Sequence, residues 1–170
     1  KAMENILLAE NKIENFKKLE TGNIRIGIGT NLGDRTANLS RAVALLDEQA
    51  GHVLACSSFI ESKPWGFHSE NAFLNAVVAI DTILTPYELL SATQSVEKKM
   101  GRTHKTVNGN YIDRIIDIDI LLYEDLIINT PELKIPHPYL LEREFVYQPL
   151  IEIASEAMHP LHHRRISEII

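Results

Sequence analysis

The sequence predicts an α+β domain whose elements run β-α-β-β-α-β. Three observations predict it. Two stretches of helical periodicity, over 35–50 and 86–100, each stand between strand-like aliphatic runs. Both carry helix punctuation at their ends. The runs at 53–61 and 72–81 follow one another with no helical pattern between them. Two crossovers and one hairpin fit a mostly antiparallel sheet with both helices on one face. That is the split βαβ arrangement of ferredoxin-like domains.

Each element has its own warrant. Ile24–Thr30 reads as a strand that runs into Asn31-Leu32-Gly33-Asp34, a turn ending in a helix-capping acid. Leu39, Ala42, Val43, Leu46 and Ala50 then follow helical spacing, and Gly51 stops that helix. A second strand covers 53–61, and a loop with Lys63-Pro64-Trp65-Gly66 leads to an alternating third strand, 72–81. Thr85-Pro86-Tyr87-Glu88 is a capping box with proline at the first helical position. Leu89, Thr93, Val96 and Met100 continue that helix to Gly101. A polar loop, 102–113, precedes a fourth strand over 115–123. A short hairpin (126–128 with 133–135), short helices and an ill-defined tail complete the domain.

Residues 1–23 stand apart. Met3, Ile6, Leu7, Ile13, Phe16 and Leu19 roughly follow helical spacing among four lysines and four glutamates, so an appended amphipathic helix or linker is expected there. The domain proper is expected over 24–170.

The 170 residues are 45% hydrophobic, enough for a real core. No run of 18 apolar residues exists, so no transmembrane helix is expected, and the polar N-terminus does not read as a signal peptide. A single cysteine, Cys56, excludes a disulfide framework and agrees with a reducing cytoplasm. Its alternation with Leu54 and Ser58 makes it a core residue. A net charge of −6 argues against a nucleic-acid binder. It leaves room for a small anionic substrate, because Lys98, Lys99, Arg102, Lys105 and Arg114 outnumber Glu97 and Asp113 in one local patch.

Arg114-Ile115-Ile116-Asp117-Ile118-Asp119-Ile120 is the strongest chemical signal. Residues two apart on a strand share a face about 6.6 Å apart, so the two aspartates project together while the isoleucines face the core. Paired carboxylates repel each other and lose hydration, so they need a compensating cation. Hard oxygen ligands suit Mg²⁺, which completes its shell with water and substrate phosphates. Arg102 and Arg114 bracket the polar loop and offer rigid donor forks to phosphate. Phe73 and Asn75 share a strand face, a pairing that suits a flat heterocycle with a hydrogen-bonding edge. Gly27-Ile28-Gly29-Thr30-Asn31-Leu32-Gly33 has the wrong spacing for a dinucleotide fingerprint and reads as a tight strand-to-helix turn. His159, His162 and His163 lack partners with metal-ligand spacing and are expected at the surface.

Taken in order, these segments resemble the 6-hydroxymethyl-7,8-dihydropterin pyrophosphokinase family. The matching pieces are Gly29-Thr30-Asn31-Leu32-Gly33-Asp34, Phe73-Leu74-Asn75-Ala76, Glu97 with Gly101-Arg102, Arg114-x-x-Asp117-x-Asp119, Pro136-His137 and Arg143-x-Phe145. The resemblance runs unbroken over about residues 24–160. It implies transfer of diphosphate from ATP to the hydroxymethyl oxygen of the pterin, giving AMP and the pterin diphosphate for folate biosynthesis in the cytoplasm. It implies two Mg²⁺ ions on Asp117 and Asp119, and catalytic arginines at Arg102 and Arg114. With those arginines, Gln94, Glu97, Ile120, His137 and Arg143 would line the nucleotide site. Gly29, Ser62, Trp65, Phe73, Asn75, Asp117 and Phe145 would line the pterin site. The partners implied are these two small molecules, with no membrane or nucleic acid; residues 1–23 leave open an adjacent folate-pathway module at the N-terminus. Several positions depart from the family pattern. Ile112-Asp113 stands where a Gly-Pro or similar small pair is usual, and the 103–113 loop is about two residues longer. His104 replaces a basic residue, Tyr111 is the nearest stand-in for a tryptophan, and Glu132 stands where some members carry arginine. The polar loop 102–113 is expected to close over ATP.

Overall fold

The computed structural model describes residues 24–65, 69–101, 106–107, 110–111 and 113–170. Segment 1–23 and its expected helix lie outside the described residues, as does most of the expected lid. Strand β1 (Ile24–Thr30) is followed by helix α1 (Arg35–Gln49), strands β2 (His52–Cys56), β3 (Ile60–Ser62) and β4 (Phe73–Asp81), and helix α2 (Pro86–Lys99). Then come β5 (Thr106–Val107), β6 (Asn110–Tyr111), β7 (Asp117–Tyr123), β8 (Ile128–Asn129) and β9 (Lys134–Ile135). Helix α3 (Glu144–Ile153), strands β10 (Met158–His159) and β11 (Arg164–Arg165), and the short helix α4 (Ile166–Ile169) follow. Within the polar loop, β5 and β6 form a short antiparallel ladder. No helix among the described residues is long and apolar enough to cross a membrane.

The main sheet runs β2-β4-β1-β7 with every neighbouring pair antiparallel, and β3 pairs with β4 beyond β2. This is the predicted split βαβ topology. Both expected helix starts are capped as read. Asp34 accepts from the Ala37 N–H at 3.1 Å. Thr85 and Glu88 exchange two bonds of 2.9 and 3.3 Å, a box that stabilises a helix start by about 1 kcal/mol. On the helix-covered face, Ile26 and Ile28 meet Val78, Ile80, Leu39, Leu46, Leu89 and Val96, with Ile116, Ile118 and Ile120 closing the row. Burying each such side chain stabilises the fold by roughly 1.5–3 kcal/mol.

Four expectations need correction. The second strand is two pieces, because 57–59 lift away from β4. Buried Ser57 fills the gap: its hydroxyl accepts the Val77 N–H at 2.8 Å, and its own N–H donates to the Val77 carbonyl at 2.9 Å. Cys56 is not a core residue. The alternation is real, but the inward face belongs to Val53, and Leu54 and Cys56 point to solvent. The C-terminal part is also better defined than expected. Val77, Leu121, Leu122, Leu140, Val146, Leu150, Ala157 and Ile166 form a second core beneath α3, on the other face of the sheet. His159 is buried beside it rather than exposed, with its ring 4.6 Å from that of His162. Burial and then His162 lower its pKa, so the neutral imidazole is favoured.

Candidate active site

At one end of the sheet the second core gives way to polar residues. The register makes two rows across three strands. Asn75, Gly29 and Asp117 stand side by side on β4, β1 and β7, and Val77, Gly27 and Asp119 form the next row. Glycine in the central strand leaves a trough. Its walls are an amide and an aromatic ring on one side and two carboxylates on the other. Gly27 and Gly29 lie inside β1, within the strand expected over 24–30, and the expected strand-to-helix turn falls at Gly33, whose φ is +69°. A methyl group on Gly29 would meet Asn75 Oδ1 at 3.0 Å, so one fits only if that side chain gives way by a few tenths of an ångström.

Asn75 is held by its neighbours. Its Nδ2 donates to Ser62 Oγ at 2.9 Å and to the Ile60 carbonyl at 3.1 Å. Both amide hydrogens are thereby used, and the oxygen faces the trough as an acceptor. The chemistry offered is narrower than the sequence suggested, since only the acceptor points inward.

On the opposite wall, Asp117 and Asp119 alternate with buried isoleucines as expected. Arg114 Nη1 lies 3.2 Å from Asp117 Oδ2, and its guanidinium sits 5.5 Å from the Phe73 ring centroid. The Arg114 side chain is 5% exposed. A charge buried so far needs partners and fixed geometry. Glu97 is buried behind this wall, where its carboxylate accepts the Ile118 N–H at 2.8 Å. It is not among the residues lining the cavity.

A cavity of about 420 Å³ opens over the acidic wall. Leu90 and Gln94 from α2 bound it, with Ile118, Ile120, Pro131, Glu132, Leu133, Lys134 and His137. Trp65, Phe73, Arg143 and Phe145 line its other side. A recess of about 50 Å³ reaches down to Gly27, Gly29 and Asn75 and shares Asp117, Asp119, His137, Arg143 and Phe145 with it. The larger volume lies in the range of ordinary small-molecule sites. Arg143 stacks among aromatic rings, 4.1 Å from the Trp65 centroid and 4.7 Å from that of Tyr139. His137 Nδ1 accepts the Tyr139 N–H at 3.1 Å, so the neutral ring carries its proton on Nε2.

Thus Gly29, Phe73, Asn75, Asp117 and Phe145 meet around the recess, and Gln94, Arg114, Ile120, His137 and Arg143 around the larger cavity. Trp65 joins the second group, Ser62 acts through Asn75, and Arg102 lies outside the described residues. Sequence reasoning missed Lys63, Lys134 and Tyr139. Tyr139 had one signal, an aromatic directly after the rigid Pro136-His137-Pro138 segment.

Asp117 and Asp119 are the acidic pair available to a cation. Among the described residues no three or more His, Cys, Asp or Glu gather into a protein-only cage. Two carboxylates facing an open cavity fit Mg²⁺, which commonly binds one or two carboxylates and takes substrate phosphates and water for the rest.

Fold and site together define a ferredoxin-like small-molecule enzyme with a paired-carboxylate centre. A family model described as 7,8-dihydro-6-hydroxymethylpterin-pyrophosphokinase matches residues 25–155. A 2-amino-4-hydroxy-6-hydroxymethyldihydropteridine pyrophosphokinase of Porphyromonas gingivalis is 45% identical over 138 residues, covering 81% of this chain and 93% of that one. Its namesake in Aquifex aeolicus is 41% identical over 145 residues, covering 85% and 88%. A solved Plasmodium falciparum HPPK-DHPS shares the fold with a TM-score of 0.67 at 17% identity, over 85% of this chain and 42% of that one. The chain belongs to the 7,8-dihydro-6-hydroxymethylpterin-pyrophosphokinase family. It is a pyrophosphokinase of folate biosynthesis.

Proposed function

We propose that the chain transfers the β,γ-diphosphate of ATP, with Mg²⁺, to the hydroxymethyl oxygen of 6-hydroxymethyl-7,8-dihydropterin. The observation that carries this reading is the three-strand row Asn75–Gly29–Asp117, in which a glycine floor separates a heterocycle-reading wall from an acidic wall. The pterin lies in the recess, where Asn75 Oδ1 accepts from its ring N–H groups and Phe73 and Phe145 bear on its faces, with Trp65 above it on the wall of the larger cavity. The adenine and ribose take the part of the cavity bounded by Leu90, Gln94, Ile120 and Leu133, and His137 Nε2–H and Arg143 reach the nucleotide.

The hydroxymethyl oxygen attacks the β-phosphorus and loses its proton, the bridging bond to the α-phosphate breaks, and AMP leaves. Asp117 and Asp119 would hold two Mg²⁺ ions, which would neutralise charge on the phosphates. Arg114 stabilises charge on the moving diphosphate from its fixed place beside Asp117, with Arg102 acting from the loop. Positioning and charge stabilisation are nearly all that phosphoryl transfer asks of a protein. We assign residues 24–170 to the catalytic domain, residues 1–23 to an appended helix or linker, and the reaction to the cytoplasm.

Incubation with ATP, Mg²⁺ and the reduced pterin tests the reading. AMP and pterin diphosphate are the expected products. Formation of ADP instead contradicts diphosphoryl transfer.

A further inference from the structure

Asp113 is tied into the hydrogen bonding around Arg114. Asp113 Oδ1 accepts from Asn31 Nδ2 at 2.8 Å, and Oδ2 accepts from Asn71 Nδ2 at 2.9 Å. Asn31 Nδ2 also donates to the Asn71 carbonyl at 3.1 Å, which closes a ring of three segments. Asn31 then holds the Arg114 backbone from both sides. The Arg114 N–H donates to Asn31 Oδ1 at 2.7 Å, and the Asn31 N–H donates to the Arg114 carbonyl at 3.1 Å. Buried Asn31 thus spends its whole amide on this arrangement.

The three tied segments all feed the trough. Asn31 leaves the strand that carries Gly29, Asn71 enters the strand that carries Phe73 and Asn75, and Asp113 enters the strand that carries Asp117 and Asp119. Each oxygen of Asp113 receives one amide hydrogen. A neutral amide at 113 has one oxygen, so it keeps the arm to Asn31 and presents a donor to Asn71, which must turn its amide to accept. Burial alone would raise the Asp113 carboxyl, but bonds from Ser69, Asn31 and Asn71 and the Arg114 charge outweigh it and hold the group below its ordinary range.

We propose that Asp113 is a positioning residue for the reaction: through Asn31 and Asn71 it sets the width of the trough and fixes Arg114 against the transferring diphosphate. This rests on the functional reading above. Arg114 acts on charge that develops during transfer, so loosening its anchor lowers kcat and leaves ground-state binding nearly unchanged.

The test is steady-state kinetics with Mg-ATP and 6-hydroxymethyl-7,8-dihydropterin on the full chain. Asp113→Ala should lower kcat about 100-fold, with both KM values within about threefold of wild type. Asp113→Asn keeps the arm to Asn31, and the Asn71 amide can turn its oxygen to the new NH2 group, so kcat should fall only about threefold. Asn71→Ala, the variant to use should Asp113→Ala not fold, removes one arm outright and should lower kcat by about tenfold with both KM values nearly unchanged. A purely structural tie would shift Tm in all three variants without this kcat pattern. With an active wild type, kcat within twofold in D113A or in N71A overturns the inference. A wild type that forms no AMP overturns the functional reading and this inference with it.

Discussion

The two faces of the central strands differ residue by residue. On the face under α1 and α2, β1 and β7 present Ile26, Ile28, Ile118 and Ile120 in one aliphatic layer. On the other face the same strands present Gly27, Gly29, Asp117 and Asp119, and the apolar character resumes only at Leu121. The two-residue period of a strand lets one segment supply stability and chemistry without compromise between them. Substitutions on the two faces should therefore fail in different ways.

The largest catalytic loss is expected on the acidic side. Asp119→Ala should reduce kcat/KM about 1,000-fold with little change in melting temperature. Asp117→Ala should match that loss and in addition lower stability, because buried Arg114 loses a charged partner at 3.2 Å. Equal melting temperatures for the two variants would erase the distinction drawn between the carboxylates. Next in size is Asn75→Asp. It removes both donors from Ser62 and the Ile60 carbonyl and sets a charge over the recess. The KM for the pterin should rise about 100-fold, with the KM for ATP nearly unchanged, as separate titrations would show.

The smallest effect lies far from the trough. The pKa of His159 is lowered in the folded protein, so the unfolded chain takes up the proton first as the pH falls. The stability contributed by neutral His159 is present above the unfolded value near 6.5 and is lost as the pH drops through and below it. Denaturant melts at pH 8 and pH 5.5 should show the drop in wild type and a shallower one in His159→Gln.

The aliphatic face was legible because its pattern is local. Periodicity and caps at Asp34 and Thr85–Glu88 placed the strands and helices, and Arg114-x-x-Asp117-x-Asp119 marked the acidic wall. The second core was missed although β4 signalled it: Ala76 to Ile80 is an unbroken buried run, which marks a strand covered on both faces. The rest of the site depends on contacts between segments far apart in sequence. Asn75 is turned by Ser62 and Ile60 on a neighbouring strand. Asp113 meets Asn31 across 82 positions and Asn71 across 42, and no local spacing encodes such meetings.

The central claim is that opposite faces of β1 do separate work, and a paired measurement on Gly29→Ala and Ile26→Ala tests it most directly. Both variants would be assayed for kcat/KM toward the pterin and for melting temperature. A Gly29 methyl meets an oxygen at 3.0 Å that two hydrogen bonds hold in place, so kcat/KM should fall at least about tenfold while Tm barely moves. Ile26 is fully buried in the first core, so Ile26→Ala should lower Tm by about 5–15 °C, with kcat/KM of the folded protein within a factor of about two. Retained pterin efficiency in Gly29→Ala, or lost efficiency without a lower Tm in Ile26→Ala, would contradict the account.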